Sequence, residues 1–217
     1  MTLYASSLML DRSAIKAQKI TDLYSLHRVI YDLFSDIRND QEKLLSVPSG
    51  IQWVDKGGDY FGRQILILSD RPPLTRTREV HGHVVTKLLP QHFLSHTHYQ
   101  FEIVICPTRR DNKTKKLIPV KGSENIANWF IERASASWGF SVDVVSLQVE
   151  RVAVCQFNNK HGHIVTLQQA KLTGCLTVIN NEQFQKSFHN GIGRGRSFGC
   201  GLLQIIPVTV QSIFDKE

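Results

Sequence analysis

Cysteine is scarce in this chain and none of it is paired in sequence. Cys106, Cys155, Cys175 and Cys200 show no CxxC spacing, so they read as small buried residues in a reducing compartment. Long apolar runs are missing too: none approaches the roughly 20 residues a membrane span needs, and no membrane partner is expected. The opening MTLYASSLMLD lacks a basic n-region and carries Asp11, so it reads as a first strand and not as a signal peptide. The expected location is the cytoplasm. Acidic side chains are outnumbered, 19 Asp and Glu against 26 Lys and Arg, for a formal charge of +7. That balance favours a polyanionic partner, nucleic acid before membrane. There is no low-complexity segment, and no register fits the GxGxxG fingerprint of dinucleotide sites.

What is present suffices for a packed core. Of 217 residues, 41% are hydrophobic and 21% charged, which allows one large domain or two small ones. Leu3–Leu10 reads as a strand, and Thr21 or Asp22 can cap a helix running to about Phe34. Ile51–Val54 and Arg63–Leu68 read as a hairpin around the turn residues DKGGDYFG. Val84–Leu89 could be a further strand. From His98 the pattern restarts: a strand over Tyr99–Cys106, a basic loop over Arg109–Lys121, and a helix over Ser123–Ala136 with Ser123 as its N-cap. Two long strands follow, Val142–Phe157 and His163–Val178, then a helix capped by Asn180 or Asn181 and a last strand near Leu202–Pro207. This order is β-α-β-β-α-β, the split ferredoxin-like unit, and the first half reads as a degenerate copy. The expected fold is α+β, two tandem ferredoxin-like (RNA-recognition-motif-like) domains. Residues 1–90 would form the first, carrying the helix over residues 22–34, and 91–217 the second, carrying a glycine-rich loop.

That loop is the densest signal. In GIGRGRSFGCGLL, residues 191–203, glycines at 191, 193, 195, 199 and 201 surround Arg194 and Arg196. Glycine permits positive φ and close approach to a ligand. Consecutive N–H groups in such a turn make an anion-binding concavity, and flanking guanidinium groups add fork-shaped cations. On the helix over residues 22–34, Leu23, Leu26, Val29, Ile30, Leu33 and Phe34 share an apolar arc. Tyr24, His27 and Tyr31 form a stripe beside it, with Arg28 further out. The plainer reading makes these amphipathic edge residues of a core. If the partner is RNA, the 2′-hydroxyl is a built-in nucleophile. An imidazole can take its proton or protonate the departing 5′-oxygen, arginines can balance the charge on phosphorus oxygens, and no metal or other cofactor is required.

Two other readings compete. His81/His83, His96/His98 and His161/His163 each form a His-x-His pair able to face one side of a strand, but structural zinc wants four ligands and no cysteine pair joins them. Alternatively the protein only binds RNA, with Tyr99 and Phe101 alternating on one strand as a stacking surface. No RNP-type motif supports this.

Four segments together resemble the CRISPR-associated CasE endoribonucleases, which mature guide RNA in Cascade-type effectors. Tyr24-Ser25-Leu26-His27-Arg28 is similar to the family's Tyr-x-x-His-Arg. Pro107-Thr108-Arg109-Arg110 leading to Lys115-Lys116 resembles its Asn-Pro-x-Lys-Arg … Gly-Lys, with Cys106 where Asn is usual. Asn128-Trp129-Phe130 with Trp138-Gly139-Phe140, and the glycine loop, complete the match. The resemblance implies a metal-independent enzyme that binds a CRISPR repeat stem-loop and cuts at its base. The products would be a 2′,3′-cyclic phosphate and a 5′-hydroxyl, and the enzyme would stay on the mature guide beside other effector-complex subunits. It implies His27 as the catalytic histidine with Tyr24 assisting. RNA contacts are expected from Arg28, Arg109, Arg110, Lys113, Lys115, Lys116, Lys160, Gly193, Arg194, Gly195 and Arg196. The alternative is a non-catalytic hairpin-binding module or structural subunit of an effector complex.

Overall fold

The computed structural model describes residues 2–45, 47–74, 82–159 and 162–208. The first half opens with β1 (Tyr4–Asp11), α1 (Arg12–Ala17), α2 (Leu23–Tyr31) and α3 (Asp40–Leu44), followed by β2 (Ile51–Gly58), β3 (Gly62–Ser69) and β4 (His83–Leu88). Helix α1 was not foreseen; Asp11 caps it by accepting from the Ala14 amide at 2.7 Å. Helix α2 begins where expected, at a capping box: the Asp22 carboxylate accepts from the Ser25 amide at 2.8 Å while the Ser25 hydroxyl accepts from the Asp22 amide at 3.0 Å. Two orphan N–H groups are satisfied and the helix start is fixed. Leu26, Val29 and Ile30 turn to the core. The turn residues DKGGDYFG extend further into strand than expected, β2 running to Gly58 through an irregular register after Asp55.

The four strands lie in the order β2-β3-β1-β4, every neighbour antiparallel. This is the ferredoxin-like order. No second helix precedes β4 among the described residues, and 75–81 fall outside them.

The second half repeats the order completely. Strand β5 (His98–Ile105) is followed by the short hairpin β6 (Thr108–Arg110) and β7 (Leu117–Pro119), then helix α4 (Ser123–Arg133), which widens into a π-helical turn over Ala134–Trp138. Next come β8 (Phe140–Val142), β9 (Gln148–Asn158), β10 (Ile164–Val178), α5 (Asn181–Asn190) and β11 (Gln204–Pro207). Its sheet runs β11-β5-β10-β8, with β9 also on β10. The molecule is thus two tandem ferredoxin-like domains.

Three local expectations need correction. The expected strand over Val142–Phe157 is two strands, because Asp143 forms an Asx turn with the Val145 amide at 3.2 Å and Ser146 Oγ accepts from the Cys175 amide at 2.9 Å. This folds residues 143–147 over Gly174, where any Cβ would stand 3.2 Å from Leu147 Cα. Ser123 is the first helical residue of α4, with Gly122 at the cap. The segment 109–121, expected as a loop, contains the β6–β7 hairpin.

The core forms two clusters. Leu8, Leu10, Leu26, Ile30, Trp53 and Ile65 build the first; Tyr99, Phe101, Ile103, Phe130, Phe140 and Phe184 anchor the second, which also takes in Leu3, Val54 and Leu68 from the first half. Each such side chain removed from water is worth about 1.5–3 kcal/mol, so those three couple the domains apolarly. Lys56 on β2 adds an ion pair to Glu102 on β5, and Lys171 bonds Glu102 at 3.2 Å and Glu150 at 2.8 Å. Tyr99 and Phe101 are buried, against Phe184 and Phe130 respectively, so this strand presents no aromatic stacking surface. No helix among the described residues is long and apolar enough to cross a membrane.

Candidate functional site

Helix α2 and the glycine-rich loop, some 165 residues apart in sequence, meet in space. The His27 ring lies 4.1 Å from the Tyr31 ring and 5.6 Å from that of Phe198. Phe198 in turn packs on Phe157 at 4.6 Å. Around His27 opens a cleft of about 550 Å³, lined among others by Tyr31, Arg38, Lys43, Gln52, His189, Arg196 and Ser197. No carboxylate lines it among the described residues.

Local folding explains this arrangement. Gly191, Gly193, Gly195, Gly199 and Gly201 all hold positive φ. At Gly199 a Cβ would stand 2.8 Å from the Trp53 ring, and at Gly201 one would stand 2.4 Å from the Ile192 carbonyl oxygen. Only glycine fits either place. The Ile192 amide donates to Gly201 O, those of Phe198 and Cys200 to Gly195 O, and that of Gly201 to Val104 O. These hydrogen bonds brace the loop and tie it to β5, making it a stiff mount for its side chains. Gln52, buried on β2, fixes the end of α5: its Nε2 donates to the carbonyls of Phe188 at 2.8 Å and His189 at 2.9 Å.

Electrostatics favour an anion. Arg196 donates to Asn190 O at 2.6 Å and pairs with no carboxylate among the described residues. Arg38 is held by Asp36 at 3.0 Å, and Lys43 lies 3.8 Å from the same carboxylate. Arg38 keeps the Asp36 carboxyl at about 2. Burial of the His27 ring pushes its pKa down, opposed more weakly by the backbone at Ser197 and by the charge of Asp32. The imidazole is therefore held toward its neutral form, able to accept a proton near pH 7. Its Nδ1 is buried and makes no hydrogen bond.

The other expected residues lie in several places. Tyr24 stacks near His27 with ring centroids 6.3 Å apart but does not line the cleft, and Arg28 is exposed outside it. Arg194 and Gly193 line a separate hollow of about 300 Å³ with Arg109, Arg110, Arg133, Trp129 and Trp138. The Arg194 backbone is held there by an isolated antiparallel bridge to Cys106, just past the end of β5. Gly195 turns the chain between the two hollows. Lys113, Lys115 and Lys116 are exposed at the tip of the β6–β7 hairpin, where the Asp111 carboxylate accepts from the Thr114 amide at 2.7 Å. Lys160, His81 and His161 lie outside the described residues. His98 Nδ1 bonds Thr177 Oγ1 at 3.1 Å and His96 stands edge-on to Tyr99. Among the described residues no three metal-ligating side chains converge. Burial pushes the Cys200 thiol up to about 12 and that of Cys106 upward as well, so neither is a nucleophile.

Sequence reasoning missed Arg38, Lys43, Gln52 and His189, and gave Tyr31 no catalytic part. The only signal for Tyr31 was its place on the stripe with His27; the others reach the cleft from separate elements.

Fold and cleft define a tandem ferredoxin-like protein whose domains close a basic, histidine-bearing hollow. The chain belongs to the family described as CRISPR associated protein, whose model matches residues 3–207. No curated protein sequence matches it. Its fold is similar to that of the CRISPR endoribonuclease Cse3 bound to 19-nucleotide RNA, with a TM-score of 0.80 at 17% identity over 95% of this chain and all of that one. Thermus thermophilus Cse3 with an RNA representing a pre-cleavage complex gives 0.75 at 16%, over 95% and 100%. The CRISPR-associated protein Cas6e from Escherichia coli K-12 gives 0.61 at 19%, over 94% and 100%.

Proposed function

We propose that the protein is a metal-independent endoribonuclease that binds a stem-loop CRISPR repeat RNA, cuts the precursor at the stem base and stays on the product. One observation carries the reading: the glycine loop holds Arg196 and Phe198 around the His27 imidazole, in a cleft that no carboxylate lines among the described residues. Its likeness in fold to RNA-bound Cse3, and to a chain of a CRISPR RNA-guided surveillance complex at a TM-score of 0.67 and 18% identity, supports an RNA substrate and effector subunits as partners. The protein would act in the cytoplasm, with residues 1–90 and 91–217 as its domains.

The chemistry follows from the groups present. RNA brings its own nucleophile, so the protein needs to align the 2′-oxygen with phosphorus, move two protons and neutralise charge on the non-bridging oxygens. The neutral His27 ring takes the 2′-hydroxyl proton. Arg196, with Arg38 and Lys43 at the rim, holds the phosphate. Tyr31, whose hydroxyl lies 3.0 Å from Ser49 Oγ, fixes the imidazole from one side, and Tyr24 supports it from the other. Arg109, Arg110 and Arg194 grip the flanking backbone, with Arg28 and the lysines at 113, 115, 116 and 160 adding diffuse attraction.

The test is incubation of the pure protein with a stem-loop repeat RNA in chelator. Site-specific cutting with a 2′,3′-cyclic phosphate and a 5′-hydroxyl is expected. Strict dependence on a divalent ion would replace this mechanism with metal-assisted hydrolysis, and tight binding without cutting would make the protein a hairpin-binding subunit.

A further inference from the structure

Four buried side-chain polar atoms make no hydrogen bond among the described residues, and three of them belong to residues lining the His27 cleft: His27 Nδ1, Gln52 Oε1 and His189 Nε2. Buried polar atoms without partners are costly and rare, and three on residues of one cleft single that cleft out. His189 is the informative member. It sits in the last turn of α5, its backbone carbonyl clamped by Gln52. Its Nδ1 lies 2.7 Å from the Gln185 carbonyl oxygen. A carbonyl only accepts, so Nδ1 carries a proton and the tautomer is fixed. Nε2 is then the working atom, a bare acceptor in the neutral ring and a donor in the charged one.

We propose that His189 is a second catalytic residue, the proton partner of His27 in RNA cleavage. The inference rests on the nuclease reading above. Scission needs two proton carriers, one for the 2′-hydroxyl and one for the departing 5′-oxygen. The titratable and charged side chains lining the cleft are His27, Tyr31, Arg38, Lys43, His189 and Arg196, with Asp32 beside His27. Of the lining groups only the two imidazoles have reference pKa values near neutrality. In the balanced step His27 removes the 2′-hydroxyl proton and the 2′-oxygen forms a bond to phosphorus. The bond from phosphorus to the 5′-oxygen breaks with its electron pair, and protonated His189 delivers the Nε2 proton to that oxygen. The Gln185 carbonyl supports the charged ring from behind. Solvent then returns both rings to their starting states.

The experiment measures single-turnover cleavage and RNA binding for wild type, His189→Asn and His189→Gln. Asn keeps an N–H for the Gln185 carbonyl and removes the Nε2 atom; Gln keeps an amide near Nε2 that does not titrate. Both variants should bind the stem-loop within about twofold of wild type and cut about 10²–10⁴-fold more slowly. Wild type should give a bell-shaped pH–rate profile with both limbs between about pH 5 and 8, and each variant should lose one limb. Wild-type rates in the variants, or a loss matched by weaker RNA binding, would overturn the proposal. So would a wild-type profile with a single limb in that range, a result that needs no variant to fold. Failure of wild type itself to cut would remove the nuclease reading instead.

Discussion

The two arginines of the glycine loop stand one residue apart and serve different hollows. Arg196 faces the cleft of His27, His189 and Tyr31; Arg194 faces a basin of Arg109, Arg110 and Arg133 beside two tryptophans. The first hollow holds two imidazoles and a phenol. The second holds permanent cations and apolar rings, beside the Cys106 thiol, which burial pushes upward. Under the proposed function, chemistry would fall on one side of the loop and grip on the other. It also explains why the loop is so rich in glycine: Gly195, in left-handed conformation with Cys106 and Cys200 within 3.3 Å of where a Cβ would be, reverses the chain between the two.

The sharpest way to break the comparison is His27→Ala. If the cleft does the chemistry, cleavage falls about 10²–10⁴-fold while stem-loop affinity in a gel-shift assay stays nearly intact. A variant that cuts at the wild-type rate removes His27 from the mechanism.

Next is the mount itself. Gly199→Ala must hold a left-handed backbone, costing about 1–2 kcal/mol, and must push Trp53 aside, costing about 1–3 kcal/mol more. The melting temperature should drop by roughly 2–4 °C per kcal/mol in a chain of this size, and both cleavage and binding should suffer together. An unchanged thermal melt would mean the loop is not held as rigidly as its contacts require.

Arg194→Ala should weaken RNA binding and make the slope of log affinity against log salt shallower by about 1, with single-turnover cleavage at saturating protein little altered. Arg196→Ala should lower the saturated rate as well. Identical profiles for the two variants would erase the distinction between the hollows.

The smallest effect concerns pH and stability. His27 is held neutral by burial, so its folded pKa lies below the ordinary value of 6.5. Between those two values the unfolded chain binds the extra proton, and stability rises with pH. Denaturant midpoints should therefore decline as pH falls from above 6.5 through the folded pKa, and His27→Gln should flatten that decline. A decline of equal depth in the variant would place its origin in other groups.

The sequence carried the strand and helix order of the second domain, because period-two alternation over Tyr99, Phe101, Ile103 and Ile105 and the capping residue Asn180 are local signals. It carried α2 for the same reason: Asp22 and Ser25 cap it, and Leu26, Val29 and Ile30 stripe one face. It missed α1, six residues on a single Asp11 cap, and it fused β8 with β9, since the turn between them is stabilised by partners across the sheet at Gly174 and Cys175. Of the proposed site, His27, Arg196 and the loop glycines were legible as types able to do such chemistry.

Their meeting was not legible. Tyr31, Gln52 and His189 reach the cleft from α2, β2 and α5, and no spacing along the chain encodes a distance between elements that only the packing of two sheets brings together. The sequence by itself determined two ferredoxin-like units, a basic balance and a stiff arginine-bearing turn, all consequences of local propensity and composition. Tertiary structure decided which arginine faces which hollow and which imidazoles share one. Those outcomes depend on burial and contact, and burial is a property of the assembled fold.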